Sequence, residues 1–379
     1  MKSTAIFRQL TAIERILFVG GVDVRKKHKK SNFLWILSSV YNKFAVLWWM
    51  AFTLRTIATM LSIAKGNIAL TQLKLTRKLL ETTFFVLWFI MIKARQKITV
   101  LIRDLENIAS SLDRKIIRSW IRYATVVIIT VPLLGTIALN LSSEEEYCQA
   151  MLRYQSGNLI TVSRGHNCLV WYILAPFCIM PPYILHTGVC ITYIIFCYCF
   201  RNILNIHSKS GLEKKYINFK DYRYHLLTYD RIIKVLQDFE KVMSYPIFVA
   251  EINDFTGILF GLIALDPFKR LPHLSWSPTW IWVNVFVSLR ALISFLCVCL
   301  TASSVTEASK NARNIQKEIM KRVTVPTIQE KSELLVFIKA HKTQPFKLSA
   351  GGFFYLNKSL VLTAVGSALT YSLLILQLT

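Results

Sequence analysis

The sequence predicts an all-α, polytopic membrane protein with seven transmembrane helices, a cytoplasmic N-terminus and a cytoplasmic helical anchor. Three observations carry this reading. Hydrophobic residues make up 54% of the 379 while charged residues make up only 18%, below the ~25% of an ordinary soluble domain. The apolar residues gather in runs near the ~20 needed to cross a ~30 Å hydrocarbon core. The charges gather between those runs and are unevenly shared among them.

Residues 1–33 read as a cytoplasmic segment. They carry Lys2, Arg8, Arg15, Arg25, Lys26, Lys27, Lys29 and Lys30 and no apolar core followed by a small-residue cleavage site. Residues 34–379 read as one seven-span domain, with spans at approximately 44–64, 70–92, 121–141, 168–200, 243–265, 280–301 and 357–378. The fourth run exceeds one perpendicular crossing, and Pro176, Pro181 and Pro182 are expected to bend it.

Orientation follows from the loops. Segments 93–120, 201–242 and 302–356 are rich in Lys and Arg, whereas loop 142–167 sets Glu144, Glu145 and Glu146 against Arg153 and Arg164. Basic loops stay in the cytoplasm, so the N-terminus is inside and, after seven spans, the C-terminus outside. Rhodopsin-like receptors have the opposite orientation. The chain also lacks Asp-Arg-Tyr after the third span and Asn-Pro-x-x-Tyr in the seventh. The net charge of +25 is dispersed over the span flanks with no RNP or zinc motif, so membrane lipid is the expected partner and nucleic acid is not.

The cytoplasmic segments have helical periodicity. Ala308, Ala312, Ile315, Ile319 and Met320 recur through Glu307 to Val323, and Pro326 ends the pattern. Ser332 to Ala340 restarts it with Leu334, Leu335, Phe337 and Ile338, and region 201–242 behaves alike. These read as helix extensions that pack below the membrane, either as the base of a folded monomer or as a place where subunits join.

Several polar residues fall at membrane depth, where each charge costs about 2.5–3.5 kcal/mol on insertion scales. In the second span Lys74, Lys78 and Glu81 share one helical face, which lines an outward-open cavity or lies among lipid headgroups. Glu251 and Asp254 in the fifth span and Arg290 in the sixth are expected to face the bundle interior, with an Asp254–Arg290 pair. Arg55 in the first span is expected to pair or to snorkel. Trp171, Tyr172, Trp280, Trp282 and Asn284 stand toward the outer ends of their spans, as an aromatic belt or as pocket lining. The candidate ligand-binding set is therefore Lys74, Glu81, Trp171, Tyr172, Asp254, Trp282 and Arg290.

No catalytic chemistry is visible. There is no Gly-x-Ser-x-Gly, no phosphate loop and no Gly-x-Gly-x-x-Gly before a helix. His166 and His186 are read as lacking ligand partners at metal spacing, so no metal and no cofactor are expected. Six of the eight cysteines lie in apolar runs as small hydrophobes. Cys148 and Cys168 bracket an outer loop, as a disulfide or as two free thiols.

The seventh span, Ser359 to Thr379, has neither charge nor proline. Thr363, Gly366, Ser367, Thr370, Leu374 and Gln377 fall within about 100° of one another on its helical projection. Such a stripe suits close helix packing or a narrow hydrated pore.

The segment Ser349-Ala-Gly-Gly-Phe-Phe-Tyr-Leu-Asn-Lys-Ser359, followed by Thr370-Tyr371, five residues and Gln377-Leu378, resembles the carboxy-terminal signature of insect gustatory receptors. That family's pattern is Thr-Tyr, five mostly apolar residues, Gln and Phe; here Leu378 replaces the Phe. The resemblance implies a plasma-membrane cation channel opened by a small-molecule tastant. Four subunits, as a homotetramer or a heteromer of related receptors, would surround a pore lined by the seventh helices. It makes Gln377 and Leu378 gate candidates, with Leu374, Thr370, Ser367 and Thr363 below them and Tyr371 coupling to them. An odorant-receptor-type channel of the same superfamily is the alternative. A transporter would require two related halves, and no internal repeat is present.

Overall fold

The computed structural model describes residues 13–24, 32–64, 72–108, 126–127, 130–137, 167–212, 217–265, 278–324, 332 and 346–378. Its helices are α1 (13–19), α2 (Asn32–Ala64), α3 (Gln72–Ile108), α4 (130–137), α5 (Asn167–Leu212), α6 (Phe219–Leu265), α7 (Pro278–Lys321) and α8 (Lys358–Leu378). Two small sheets join them: β1 (Ile217–Asn218) pairs in parallel with β2 (Val323–Thr324), and β3 (Ser349–Ala350) pairs antiparallel with β4 (Phe354–Tyr355).

Five of the helices, α2, α3, α5, α6 and α7, are longer than a bilayer requires. The 47 residues of α6 extend about 70 Å at 1.5 Å per residue, more than twice a ~30 Å hydrocarbon core. The extensions read in regions 201–242 and 307–323 are thus continuous with the spans, and α7 stops at Lys321, before Pro326. Segments of α2, α5 and α7 are long and apolar enough to cross a membrane. The three prolines of the long run lie inside α5. Leu334, Phe337 and the rest of the expected 332–340 helix beyond Ser332 lie outside the described residues.

The core is built from α5, α6 and α7, with α3 against α6. Phe239 sits at its centre, 5.2 to 5.3 Å from the rings of Tyr193, Phe196 and Phe200 on α5. Gly257 and Gly261 bring α6 against α7: a Cβ at Gly261 would stand 1.4 Å from Ser288 Oγ, and one at Gly257 3.1 Å from Ala291 Cβ. Such Gly-x-x-x-Gly spacing permits backbone approach inside a membrane, where apolar burial alone supplies little association energy. Residues 13–24 also enter the core. Ile13, Leu17, Val22 and Val24 are buried, and α1 lies against Leu185 and Gly188 of α5. By contrast, α2 turns Ile36, Val40, Phe44, Leu47, Leu54, Ile57 and Leu61 outward, as a lipid-facing helix does.

The C-terminal element starts from a hairpin. Three residues, Gly351 to Phe353, join the paired Ala350 and Phe354; Gly351 and Gly352 both have positive φ, +60° and +76°, as the central residues of a tight turn that Phe353 N closes by donating to Ala350 O at 3.0 Å. The hairpin docks on α6: Gly351 N donates to Ser244 O at 3.0 Å, and Ser349 Oγ donates to Glu240 Oε1 at 2.6 Å. Asn357 then caps α8, its Oδ1 accepting from Leu360 N at 2.8 Å. Lys358 Nζ reaches Glu307 Oε1 of α7 at 2.7 Å.

Candidate ligand site and pore helix

Two ionic clusters lie inside the bundle. In the first, Glu81 of α3 accepts from Lys78 Nζ at 2.5 Å and forms an ion pair with Arg55 Nη2 of α2 at 3.3 Å. Lys78 is fully buried and Glu81 is 8% exposed, which places this face in the protein interior and not among headgroups. Arg55 pairs, as expected, and its guanidinium also stands 4.8 Å over the Phe52 ring. The Lys74 side chain lies outside the described residues.

The second cluster joins α5, α6 and α7. Arg290 Nη2 lies 3.5 Å from Asp254 Oδ1, and Arg290 Nη1 lies 3.1 Å from His186 Nδ1. A guanidinium only donates, so Nδ1 must accept and the imidazole proton sits on Nε2. That proton faces Asp254 Oδ1 at 3.2 Å and Ala250 O at 3.3 Å. The expected Asp254–Arg290 pair is therefore closed into a triangle by His186. Asp254 and His186 are fully buried, and the Arg290 side chain is 8% exposed. Arg290 also lies 4.8 Å over the ring of Tyr183. Glu251, one turn before Asp254, is 2% exposed, and neither carboxylate oxygen has a hydrogen-bond partner.

The expectation that His186 lacks partners at metal spacing is corrected. Cys190 stands four residues on, its Sγ 4.0 Å from both ring nitrogens, and Asp254 completes a three-donor group within 4.8 Å. Both ring nitrogens are already engaged, and the adjacent guanidinium opposes a divalent ion, so Arg290 rather than a metal organises the group.

Phe84 and Asn253 connect the clusters. The Phe84 ring is 5.9 Å from Tyr183 and 6.1 Å from His186. Asn253 Nδ2 donates to Thr83 Oγ1 at 2.6 Å, which fixes α6 to α3 between the two groups.

On α8 the core-facing side is Leu360, Val361, Ala364 and Ala368. The stripe lies elsewhere: Thr363, Thr370, Leu374 and Gln377 are exposed, Ser367 is half-buried, and a Cβ at Gly366 would meet nothing within 4 Å. The Thr363 and Thr370 hydroxyls turn back onto Ser359 O and Gly366 O, at 3.1 and 2.9 Å, so each of these two donors is satisfied within the helix. The Leu378 side chain lies outside the described residues.

The family model for the 7tm chemosensory receptors matches residues 24–378. The chain belongs to that family. Among solved structures, the receptor is similar to the insect olfactory receptor OR5 from Machilis hrabei in complex with eugenol, at TM-score 0.70 and 14% identity over 100% of each chain. It is also similar to OR5 from the same organism in a second structure, at TM-score 0.66 and 15% identity, again over 100% of each chain. No curated protein sequence matches significantly. The fold is that of a multi-pass membrane protein, in agreement with the loop and span pattern.

Of the candidate ligand residues, Glu81 belongs to the first cluster, while Asp254 and Arg290 belong to the second. Trp171 and Tyr172 stand on α5 and Trp282 on α7, and their side chains lie outside the described residues. Sequence reasoning missed His186, Tyr183, Phe84 and Asn253 in the receptor's core. The i, i+4 spacing of His186 and Cys190 was there to be read. The other three needed the packing of α3 on α5 and α6.

Proposed function

We propose that the receptor is a ligand-gated cation channel of the gustatory type, opened by a small-molecule tastant at the plasma membrane. Four copies, identical or related, place α8 around a central pore. The observation that carries this is α8 itself: a 21-residue helix whose Thr363, Thr370, Leu374 and Gln377 stripe is left uncovered in the single chain. Gln377 and Leu378 then form the outer gate. Leu378 supplies an apolar ring, and Gln377 supplies an amide ring able to hydrogen-bond between subunits.

The tastant site lies between the two clusters, beside Tyr183, Phe84 and Arg290. A ligand that engages Arg290 competes with Asp254 and His186, which releases α7 from α5 and α6. Two links carry such a shift to α8: Glu307 of α7 with Lys358, and Ser244 and Glu240 of α6 with the Gly-Gly hairpin. Moving a channel from 1:99 to 99:1 open needs about 5.5 kcal/mol of differential binding. Shared over four sites this is roughly 1.4 kcal/mol each, a tenfold preference for the open form, which one hydrogen bond to a charged group supplies.

The test is expression of this chain alone in cells without other chemoreceptors, with current recorded against a panel of sugars and bitter compounds. A cation current that depends on ligand supports the channel. Surface-expressed protein that moves substrate with no ligand-evoked conductance would make it a transporter.

A further inference from the structure

Away from both ionic clusters, on the side of the bundle that the loop charges assign to the cytoplasm, two imidazoles lie face to face. His207 is near the end of α5 and His225 near the start of α6. Their ring centroids are 3.8 Å apart and their planes 10° from parallel. His207 is 8% exposed, and the Nε2 atoms of both rings are buried without a hydrogen-bond partner. The second ring fills the space left by Gly211, one turn along α5 from His207: a Cβ there would stand 2.9 Å from His225 Nε2 and 2.3 Å from Ile319 Cδ1.

The neighbours supply no counter-charge. On α6, Tyr229 flanks His207 at 6.0 Å, with Asp230 and, from α7, Ser309 and Arg313 around the tyrosine. Tyr222, one turn before His225, is buried with Ile319 of α7. Lys209 on α5 and Asp221 on α6 are exposed, and β1, Ile217–Asn218, carries no charge. Among the described residues neither imidazole is paired with a carboxylate. A proton added at either Nε2 therefore finds no acceptor, and a buried ionised N–H without a partner costs more than a neutral one. Two imidazolium rings stacked face to face would also repel each other. Burial and the facing His225 push the His207 pKa down to about 3, and burial lowers that of His225.

We propose that the His207–His225 stack is an acid-sensitive joint: neutral, the two rings hold the inner ends of α5 and α6 together, and cytosolic acidification parts them. The sign follows from linkage. Stacked rings stay neutral, while separated rings titrate near the ordinary histidine pKa of ~6.5, so the joint holds above that pH and loosens as pH falls below it. Between pH 7.2 and pH 6.0 the parted form gains about 3.5-fold per imidazole, or about 12-fold for the pair. The joint rests on this stack alone and stands whether or not the receptor is a channel.

Hydrogen–deuterium exchange of the purified full-length receptor in detergent tests it, with rates corrected for the intrinsic pH dependence of amide exchange. Protection over residues 203–211 and 222–229 should fall about 12-fold in the wild type between pH 7.2 and pH 6.0. His207→Gln and His225→Gln should each reduce that fall to about 3.5-fold, and the double variant should abolish it. Unchanged wild-type protection overturns the joint, as does a double variant as acid-sensitive as the wild type. An equal fall over residues 98–105 of α3, a buried helical stretch without histidine, also overturns it, because acid would then be loosening the whole bundle. The wild-type comparison of these stretches decides even if the variants fail to fold.

Discussion

Replacing Arg290 with Met removes the charge that Asp254 and His186 share while keeping an unbranched side chain of similar reach. Asp254 is fully buried and its remaining partner, at 3.2 Å, is His186. Breaking a buried pair on one side costs about 3–5 kcal/mol, because the partner's charge stays behind uncompensated. Asp254→Leu should fall at the lower end of that range, since the stranded guanidinium keeps His186 Nδ1 and the Tyr183 ring. The double variant removes both charges. Such replacements by apolar residues are often neutral or stabilising by ~1–4 kcal/mol, so the pair should show a coupling of ~3 kcal/mol or more, at or beyond the upper end of contacting residues. Unfolding of the detergent-solubilised receptor by SDS, followed by tryptophan fluorescence, measures all three. Single variants within ~1 kcal/mol of wild type, or a double variant as unstable as the sum of the singles, would refute the triangle as the lock between α5, α6 and α7.

Other perturbations probe separate parts of the account. Gly261→Val should separate α6 from α7, because a Cβ there would already overlap Ser288 Oγ at 1.4 Å. A cost of at least the ~1–3 kcal/mol of ordinary overpacking should appear as lost surface expression, whereas Leu289→Val on the exposed side of α7 should express normally. Below the ordinary histidine pKa of ~6.5 the unfolded chain protonates at His225 and the folded chain does not, because burial depresses that pKa. Stability should therefore be full above that pH and decline as pH falls below it; His225→Gln should flatten this part of a thermal-unfolding pH profile. Thr363→Cys, Ser367→Cys, Thr370→Cys, Leu374→Cys and Gln377→Cys should react faster with external thiol reagents when agonist is present, while Ser372→Cys should not. The reverse pattern would remove α8 from the pore in this register.

Much of the architecture was legible because membranes impose simple rules on sequence. Apolar length marked the crossing segments of α2, α5 and α7, and the basic periodic segments marked the extensions of α5, α6 and α7. The Asp254–Arg290 pair was legible from cost alone, since charges at that depth need partners. Its third member was not. His186 reads as a single polar residue in an apolar run, and only the approach of α5 to α6 shows Asp254 3.2 Å away. That α6–α7 approach had its own sequence mark, Gly257-x-x-x-Gly261, which apolar-run counting passes over. The burial of Ile13, Leu17, Val22 and Val24 was hidden by the basic residues around them, which point to a solvated segment. The Gly-Gly of the C-terminal signature carried no structural meaning until the hairpin was seen to dock on Ser244.

Purified wild-type receptor in a planar bilayer that contains no other protein isolates the channel from every other component. Discrete cation-current steps should appear with agonist and disappear on washout. Gln377→Ala should alter the selectivity of those steps or leave steps without ligand. An agonist that binds the purified receptor while the bilayer stays silent, or steps that Gln377→Ala leaves unchanged in both respects, would contradict it.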